Sequence, residues 1–250
     1  MPKSRQPLMG NYLLRTMPAD SFAALYPHLK FLRLPTNTVL AGAGQAVQCH
    51  VFLEAGLASA VARSGDNQMV EAAHLGREAM IGHQALLSVG TSPYEISMQI
   101  EGSGWQISGE ALRRTIGGHH ATMQLLLRFV HALELQIIHS VVANARYSVH
   151  QRLARWLLMT HDRLDRNDLP LTHELLATRL GVRRAGITDA LHTIEGLGAI
   201  RATRGNVQVV SRATLEAVAQ GSYGVPEAEY ERLIGVPLRR GQLAQVSTDR

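Results

Sequence analysis

The residues best suited to chemistry lie between Thr172 and Arg204. Arg183 and Arg184 open one predicted helix, and Arg201 and Arg204 follow on a predicted hairpin. A guanidinium stays charged at any working pH and presents a planar fork of donors, which fits phosphate oxygens and the O6/N7 edge of guanine. Arg184, and likewise Arg183, can pair bidentately with guanine or hold a phosphate. Arg201 and Arg204 can touch phosphates beside a groove. Ala185, Asp189 and His192 share one helical face, with Thr188 on its flank. Asp189 is unusual in such company: it can accept from cytosine or hold a neighbouring Arg. These nine positions, counting Thr172 at the start of the preceding helix, form a candidate DNA-binding set. Other chemistries find no support. There is no Ser/His/Asp arrangement, no carboxylate pair in a predicted cleft and no nucleotide-binding loop, so no enzyme activity is expected. Cys49 stands alone, which excludes a disulfide framework or a cysteine-only metal or iron–sulfur site within one chain. It reads as a buried structural thiol, and the pair His119-His120 as a helix start; no metal site is expected.

The elements that must position those residues are legible. Thr172 caps a first helix whose Leu176 and Leu180 are apolar and whose Ala177 is small, as a close helix crossing demands. Gly181 sits where the turn needs a positive φ. Val182, Ile187, Ala190, Leu191 and Ile194 then bury one face of a second helix. Gly198 stops it, and Ala199–Val210 reads as two strands around an Arg204-Gly-Asn turn. This is a helix-turn-helix followed by a wing. Ser148 caps the helix before it, about Val149 to Leu164, with a polar stretch from Asp162 to Pro170 ending it.

Further upstream the character differs. Residues 11–32 read as a short helical entry. From Leu32 to Ser108, short apolar runs alternate with turn signals such as Ser64-Gly-Asp-Asn, the pattern of a sandwich or small barrel. Residues 109–146 return to the helical period. Met123, Leu126, Val130, Leu133, Ile137, Ser140 and Asn144 follow a heptad seam, and Leu127, Ile138, Val141 and Val142 widen it; Met123, Leu126, Val130, Leu133, Ile137, Val141 and Asn144 are the candidate dimer interface. Two apolar faces favour one against the chain's own barrel and one against a symmetric partner.

The chain has 250 residues, enough for one large or two small domains. Its apolar fraction of 46% excludes a disordered chain. No uninterrupted apolar run approaches the roughly 18 residues of a membrane span, and the polar start lacks a secretory signal. A soluble, cytoplasmic protein is expected. Basic residues are 23 Arg and 2 Lys. Residues 148–212 carry ten basic against six acidic groups, the densest positive charge in the chain, which points to a polyanionic partner.

This order of parts resembles the Crp/Fnr family of bacterial transcription regulators over about residues 20–212. The markers are Leu53-Glu-Ala-Gly-Leu-Ala-Ser, Gly82 with Leu86-Leu87, Ser148-Val-His-Gln-Arg-Leu-Ala and, most specific, Ala177…Gly181…Ile187. The resemblance implies an α+β fold with four parts. These are a jelly-roll-like β-barrel of the cyclic-nucleotide-binding type (residues 11–118), a dimerisation helix (119–147), a winged helix-turn-helix (148–212) and, beyond the resemblance and read from the residues alone, short helices with a disordered tail (213–250). It implies a homodimer on an inverted repeat of double-stranded DNA, contact with RNA polymerase and a small effector.

The sensing site departs from the family pattern. Cyclic-nucleotide binders carry Gly-Glu-Leu, a short loop and Arg-Ser; here His83 follows Gly82 and Pro93-Tyr94 replaces Arg-Ser. A buried phosphate without its guanidinium lacks the charge-assisted bonds that offset desolvation. The family's mode of cyclic AMP binding is therefore not expected. Arg77 and Glu78 complete the candidate pocket with Gly82, His83, Pro93 and Tyr94. No cofactor is expected. The alternatives are a gas sensor carrying haem, drawing on Pro2, His74 or His83, a redox sensor at Cys49, and an interaction module that holds a partner on its barrel.

Overall fold

The computed structural model describes residues 5–65 and 68–239. Pro2, the Asp66-Asn67 part of the expected hairpin turn, and residues 240–250 of the tail lie outside them. The chain forms two compact units. The first takes the chain up to Ala60, Leu75–Glu134 and Tyr230–Val236; the second takes Val61–His74, Leu135–Glu229 and the chain from Pro237.

The expected helical entry is two short helices, α1 (Tyr12–Thr16) and α2 (Ala19–Leu25), and Lys30–Leu34 is already strand β1. Pro18 interrupts the helical period and starts α2. Asn11 caps α1 by accepting from Leu14 N (3.1 Å). Its amide also donates to the Leu53 and Ala79 carbonyls (2.9 Å each), tying this entry to the sheet. The strands are β2 (Val39–Ala41), β3 (Cys49–Arg63), β4 (Met69–Leu75), β5 (Met80–Ile81) and β6 (Glu95–Ser108). They form one jelly-roll-like sheet with the open order β1-β6-β3-β4, β2 pairing with β6 and β5 with β3. Closure into a barrel is not seen in these pairings. Two pairs of short apolar runs expected as separate strands are single long strands, β3 and β6. Gly56, a turn-former by residue type, lies inside β3: its φ is +87°, and a Cβ there would sit 2.8 Å from the Ile100 and Glu101 carbonyls. Only glycine lets the two long strands pass this closely.

The helical stretch after β6 is two helices, α3 (Gly109–Ile116) and α4 (His120–Arg146), parted by Gly117-Gly118. An 18-residue window of α4 averages a hydropathy of 1.5, so by length and composition it could cross a membrane, although no uninterrupted apolar run is that long. Only 33% of that window is buried. Polar residues are spread through it, and its apolar side chains split between a covered and an uncovered face.

In the second unit, α5 (Val149–Leu164) begins at Ser148, whose N–H donates to Gln151 Oε1 (2.9 Å). The polar exit expected from Asp162 begins three residues later, at Asp165. Asp162 is buried, receiving Arg212 Nη1 (2.8 Å) and the Tyr223 hydroxyl (2.6 Å). Helix α6 (His173–Leu180), α7 (Arg184–Gly196) and a three-stranded sheet of order β7 (Asp168–Leu169), β9 (Asn206–Val209), β8 (Ile200–Thr203) follow. Helix α8 (Arg212–Ala219) supplies the Arg212 that clamps α5, and α9 (Val225–Ile234) follows it. Val236 and Leu238 are buried, so the polar tail does not begin at Val236 as expected.

Candidate nucleic-acid interface

The helix-turn-helix is built as its residue types require. Thr172 Oγ1 accepts from Leu175 N (3.1 Å), capping α6. At the other end Gly181 takes φ +62°, and Val182 N donates to the Ala177 carbonyl (3.0 Å), closing the turn. A Cβ on Gly181 would meet Val70 Cγ2 at 3.1 Å, so both space and backbone favour glycine. Arg152 of α5 donates to the Leu180 carbonyl, placing a cation at the negative end of α6. Leu176, Leu180, Ile187, Ala190, Leu191 and Ile194 are buried together.

What this core leaves outside is the candidate set. Arg183, the N-cap of α7, and Arg184, Ala185, Asp189 and His192 are all exposed. Arg201 lies on β8, and Arg204 with Gly205 makes a two-residue loop between Thr203 and Asn206, Gly205 having φ +77°. Both are exposed. Among the described residues, the side chains of Arg183, Arg184, Arg201, Arg204 and Asp189 make no hydrogen bond or ion pair, leaving them available to a partner. Thr188 differs: half-buried, its hydroxyl lies 3.1 Å from His173 Nδ1 and 3.3 Å from the Arg184 carbonyl, so its role is to brace α7 against α6. Recognition helix, wing and the start of α6 enclose a groove of about 810 Å³, lined by Thr172, His173, Arg184, His192, Glu195 and Arg204 among others.

Three contributors escaped the sequence reading. His173 braces Thr188. Glu195 accepts from Ala202 N (2.9 Å) and so fixes the wing to the end of α7. Asp168-Leu169 pairs with Val207 and Gln208, giving the wing a third strand. A two-residue strand in a polar stretch carries no periodic signal; the acid three residues before Gly198 was the available hint for Glu195.

The sensor candidates are arranged differently. Gly82 is left-handed (φ +85°), and His50 Nδ1 lies 3.1 Å from its carbonyl. The two replacements for the phosphate-binding residues find each other: the Tyr94 hydroxyl is 3.3 Å from His83 Nε2, and the His83 ring stands edge-on to Phe129 at 6.0 Å. His83 is 6% exposed, and burial lowers its pKa to about 4, so the ring is neutral near pH 7. Burial also raises the Tyr94 pKa. Arg77 and Glu78 are buried; Glu78 Oε1 accepts from Gly76 N (3.0 Å), a turn-forming role. Pro93 is exposed and stands apart. His74 belongs to the second unit, where its ring contacts Glu71 (2.9 Å), Thr160 (3.1 Å) and Trp156. Cys49 is half-buried.

Along α4, Leu126 and Leu133 are 0% and 5% exposed within the chain's own core, so they do not offer themselves to a second copy. Met123, Val130 and Ile137 are half-buried, while Val141, Asn144, Leu127, Ile138 and Val142 are exposed.

Residues 151–218 match the family of Crp-like helix-turn-helix domains. No curated protein matches the chain. Solved structures of similar fold include FixK2 from Bradyrhizobium japonicum (TM-score 0.67, 14% identity, covering 77% of this chain and 98% of that one). A Crp/Fnr-family regulator from Eubacterium rectale aligns with TM-score 0.65 and 16% identity over 84% of this chain and 99% of that one. The c-di-GMP-responsive regulator CLP of Xanthomonas campestris aligns with TM-score 0.61 and 17% identity over 77% and 99%. Residues 151–218 are a Crp-like helix-turn-helix domain, and the chain as a whole has the fold of the Crp/Fnr transcriptional regulators.

Proposed function

We propose that this chain is a sequence-specific DNA-binding transcription regulator that works in the cytoplasm as a homodimer on an inverted repeat. The carrying observation is the α7 surface: its apolar half is sealed in the core, while Arg184, Asp189 and the wing's Arg204 stay exposed and unpaired among the described residues. A surface that held its charges for stability would pair them; one that awaits a polyanion leaves the cations open. Homodimer formation is supported by the exposed apolar residues of α4: Leu127, Ile138, Val141 and Val142, with half-buried Val130 and Ile137 beside them. Contact with RNA polymerase is the ordinary corollary of a regulator of this architecture.

The sensor does not take cyclic AMP in the manner of the cyclic-nucleotide binders. The reading rests on His83 and Tyr94, neutral groups that bond each other where an anionic phosphate would need a cation. The effector is a small molecule of another kind. Two measurements test this reading. Full-length protein should retard a selected genomic fragment but not a scrambled one at a stated salt concentration. Calorimetry should show no saturable cyclic AMP or cyclic GMP binding below millimolar concentration. Failure to discriminate between the fragments removes the DNA reading, and micromolar cyclic nucleotide binding removes the sensor reading.

A further inference from the structure

Helix α7 carries one feature that a purely electrostatic grip on DNA does not explain. Asp189 is exposed on the outward stripe with Ala185 and His192, opposite buried Ile187, Ala190 and Leu191. A carboxylate here repels every phosphate the protein approaches. The simple explanation is a local ion pair with a neighbouring Arg. The structure does not provide one: among the described residues the Asp189 carboxylate has no partner, and only its backbone carbonyl is engaged, by the Thr193 hydroxyl (2.9 Å).

A second observation concerns the turn before it. Ala185 and Gly186 are the smallest residues the helix could carry there. Glycine inside a helix weakens it. Internal packing does not demand this one, because a Cβ on Gly186 would meet nothing within 4 Å. The slim turn therefore serves something outside the chain. It lets the backbone of α7 come close to a surface, which a side chain as short as Asp needs in order to reach a base edge.

We propose that Asp189 is a specificity-determining residue that accepts a hydrogen bond from a cytosine N4 amino group in each half-site. This rests on the DNA-binding reading above. The base edges discriminate among the possible donors. Guanine offers only acceptors, and thymine an acceptor and a methyl group. Adenine N6 is flanked on both sides by acceptors, its own N7 and the O4 of its partner, which repel a carboxylate. Cytosine N4 has an acceptor on one side only, the O6 of its guanine. Asp189 thus gains at one base pair what it loses against phosphates everywhere. It raises specificity by lowering affinity for all other DNA.

The test is in-vitro selection of binding sites with full-length wild type, Asp189→Ala and Asp189→Asn, followed by affinity on the selected and on random duplexes. The side chain is exposed, so both variants should melt at the wild-type temperature. The wild type should select C·G at one position of each half-site. Asp189→Ala should lose preference at that position alone, with about a tenfold loss on the wild-type site per half-site and a rise in affinity for random DNA. Asp189→Asn should shift the same position towards adenine, whose N6/N7 edge matches an amide. Unchanged base preference in both variants overturns the proposal, as does an equal gain by Asp189→Ala on cognate and random DNA, which marks Asp189 as merely repulsive. A wild type that selects no sequence defeats the DNA-binding reading itself, and is told apart by appearing before any substitution is made.

Discussion

The α7–wing surface and the His83 cassette use polar residues in opposite ways. On α7 and the wing, Arg184, Asp189, Arg201 and Arg204 are outside, wet and unpaired among the described residues, on a backbone held rigid by apolar packing and caps. In the cassette, buried His83 meets the half-buried Tyr94 hydroxyl through Nε2, and Glu78 bonds its own turn. An interface for a highly charged, fully hydrated partner keeps its charges solvated until contact. In the cassette a buried ring that is neutral near pH 7 stands where the family pattern would lead one to expect charge.

The largest effect should come from breaking the seam that links two DNA-reading surfaces. Ile138→Asp with Val141→Asp puts four carboxylates into the homodimer seam. Sedimentation should then show monomers, and affinity for an inverted repeat should fall by about 10²–10⁴-fold as the half-sites lose their linkage. A double variant that stays dimeric excludes this face of α4 as the interface.

The cassette should show itself through pH. His83 has an ordinary value near 6.5 and a folded value of about 4. Between those limits the unfolded chain binds the proton and the folded chain does not, so stability falls as pH drops from 6.5 to 4. The loss amounts to about 3 kcal/mol at most from this ring. His50 and His161, also lowered chiefly by burial, add to the trend. His83→Gln should flatten the slope in denaturant unfolding across that window; an unaltered slope would mean the ring is accessible to protons when folded.

On the DNA side the effects are smaller and divide by role. Arg184→Ala should cost roughly 1–3 kcal/mol on the selected site and much less on random DNA. Gly181→Ala, forced into the left-handed region against Val70, should destabilise the helix-turn-helix by about 1–2 kcal/mol without changing which bases are selected. Arg204→Ala should weaken selected and random DNA alike and flatten the salt slope by about one unit. If Arg184 and Arg204 variants shift the specificity ratio equally, reader and anchor have been misassigned.

The same contrast explains what the sequence revealed. The helix-turn-helix was legible almost residue by residue because its constraints are local: Thr172 caps, Gly181 turns, and Ile187, Ala190 and Leu191 repeat at helical spacing. The sheet was legible as a class but not in its strands, because Gly56 looks like a turn until Ile100 and Glu101 are known to lie across from it. Along α4 the heptad was visible, but its spacing does not tell that Leu126 and Leu133 are buried in the chain's own core while Ile138 and Val141 stay exposed. Buried Asp162 reads as a polar exit because its partners, Arg212 and Tyr223, come fifty and more residues later. Long-range pairing leaves no periodic trace.

Reading of a DNA sequence is the role proposed for α7 and its wing. It is tested most directly by the ratio of affinities of the full-length protein for its best selected inverted repeat and for a scrambled duplex, measured across a salt series. The expected ratio is at least about 10³ near physiological salt, with both affinities falling steeply as salt rises. A ratio near one at every salt concentration would contradict it.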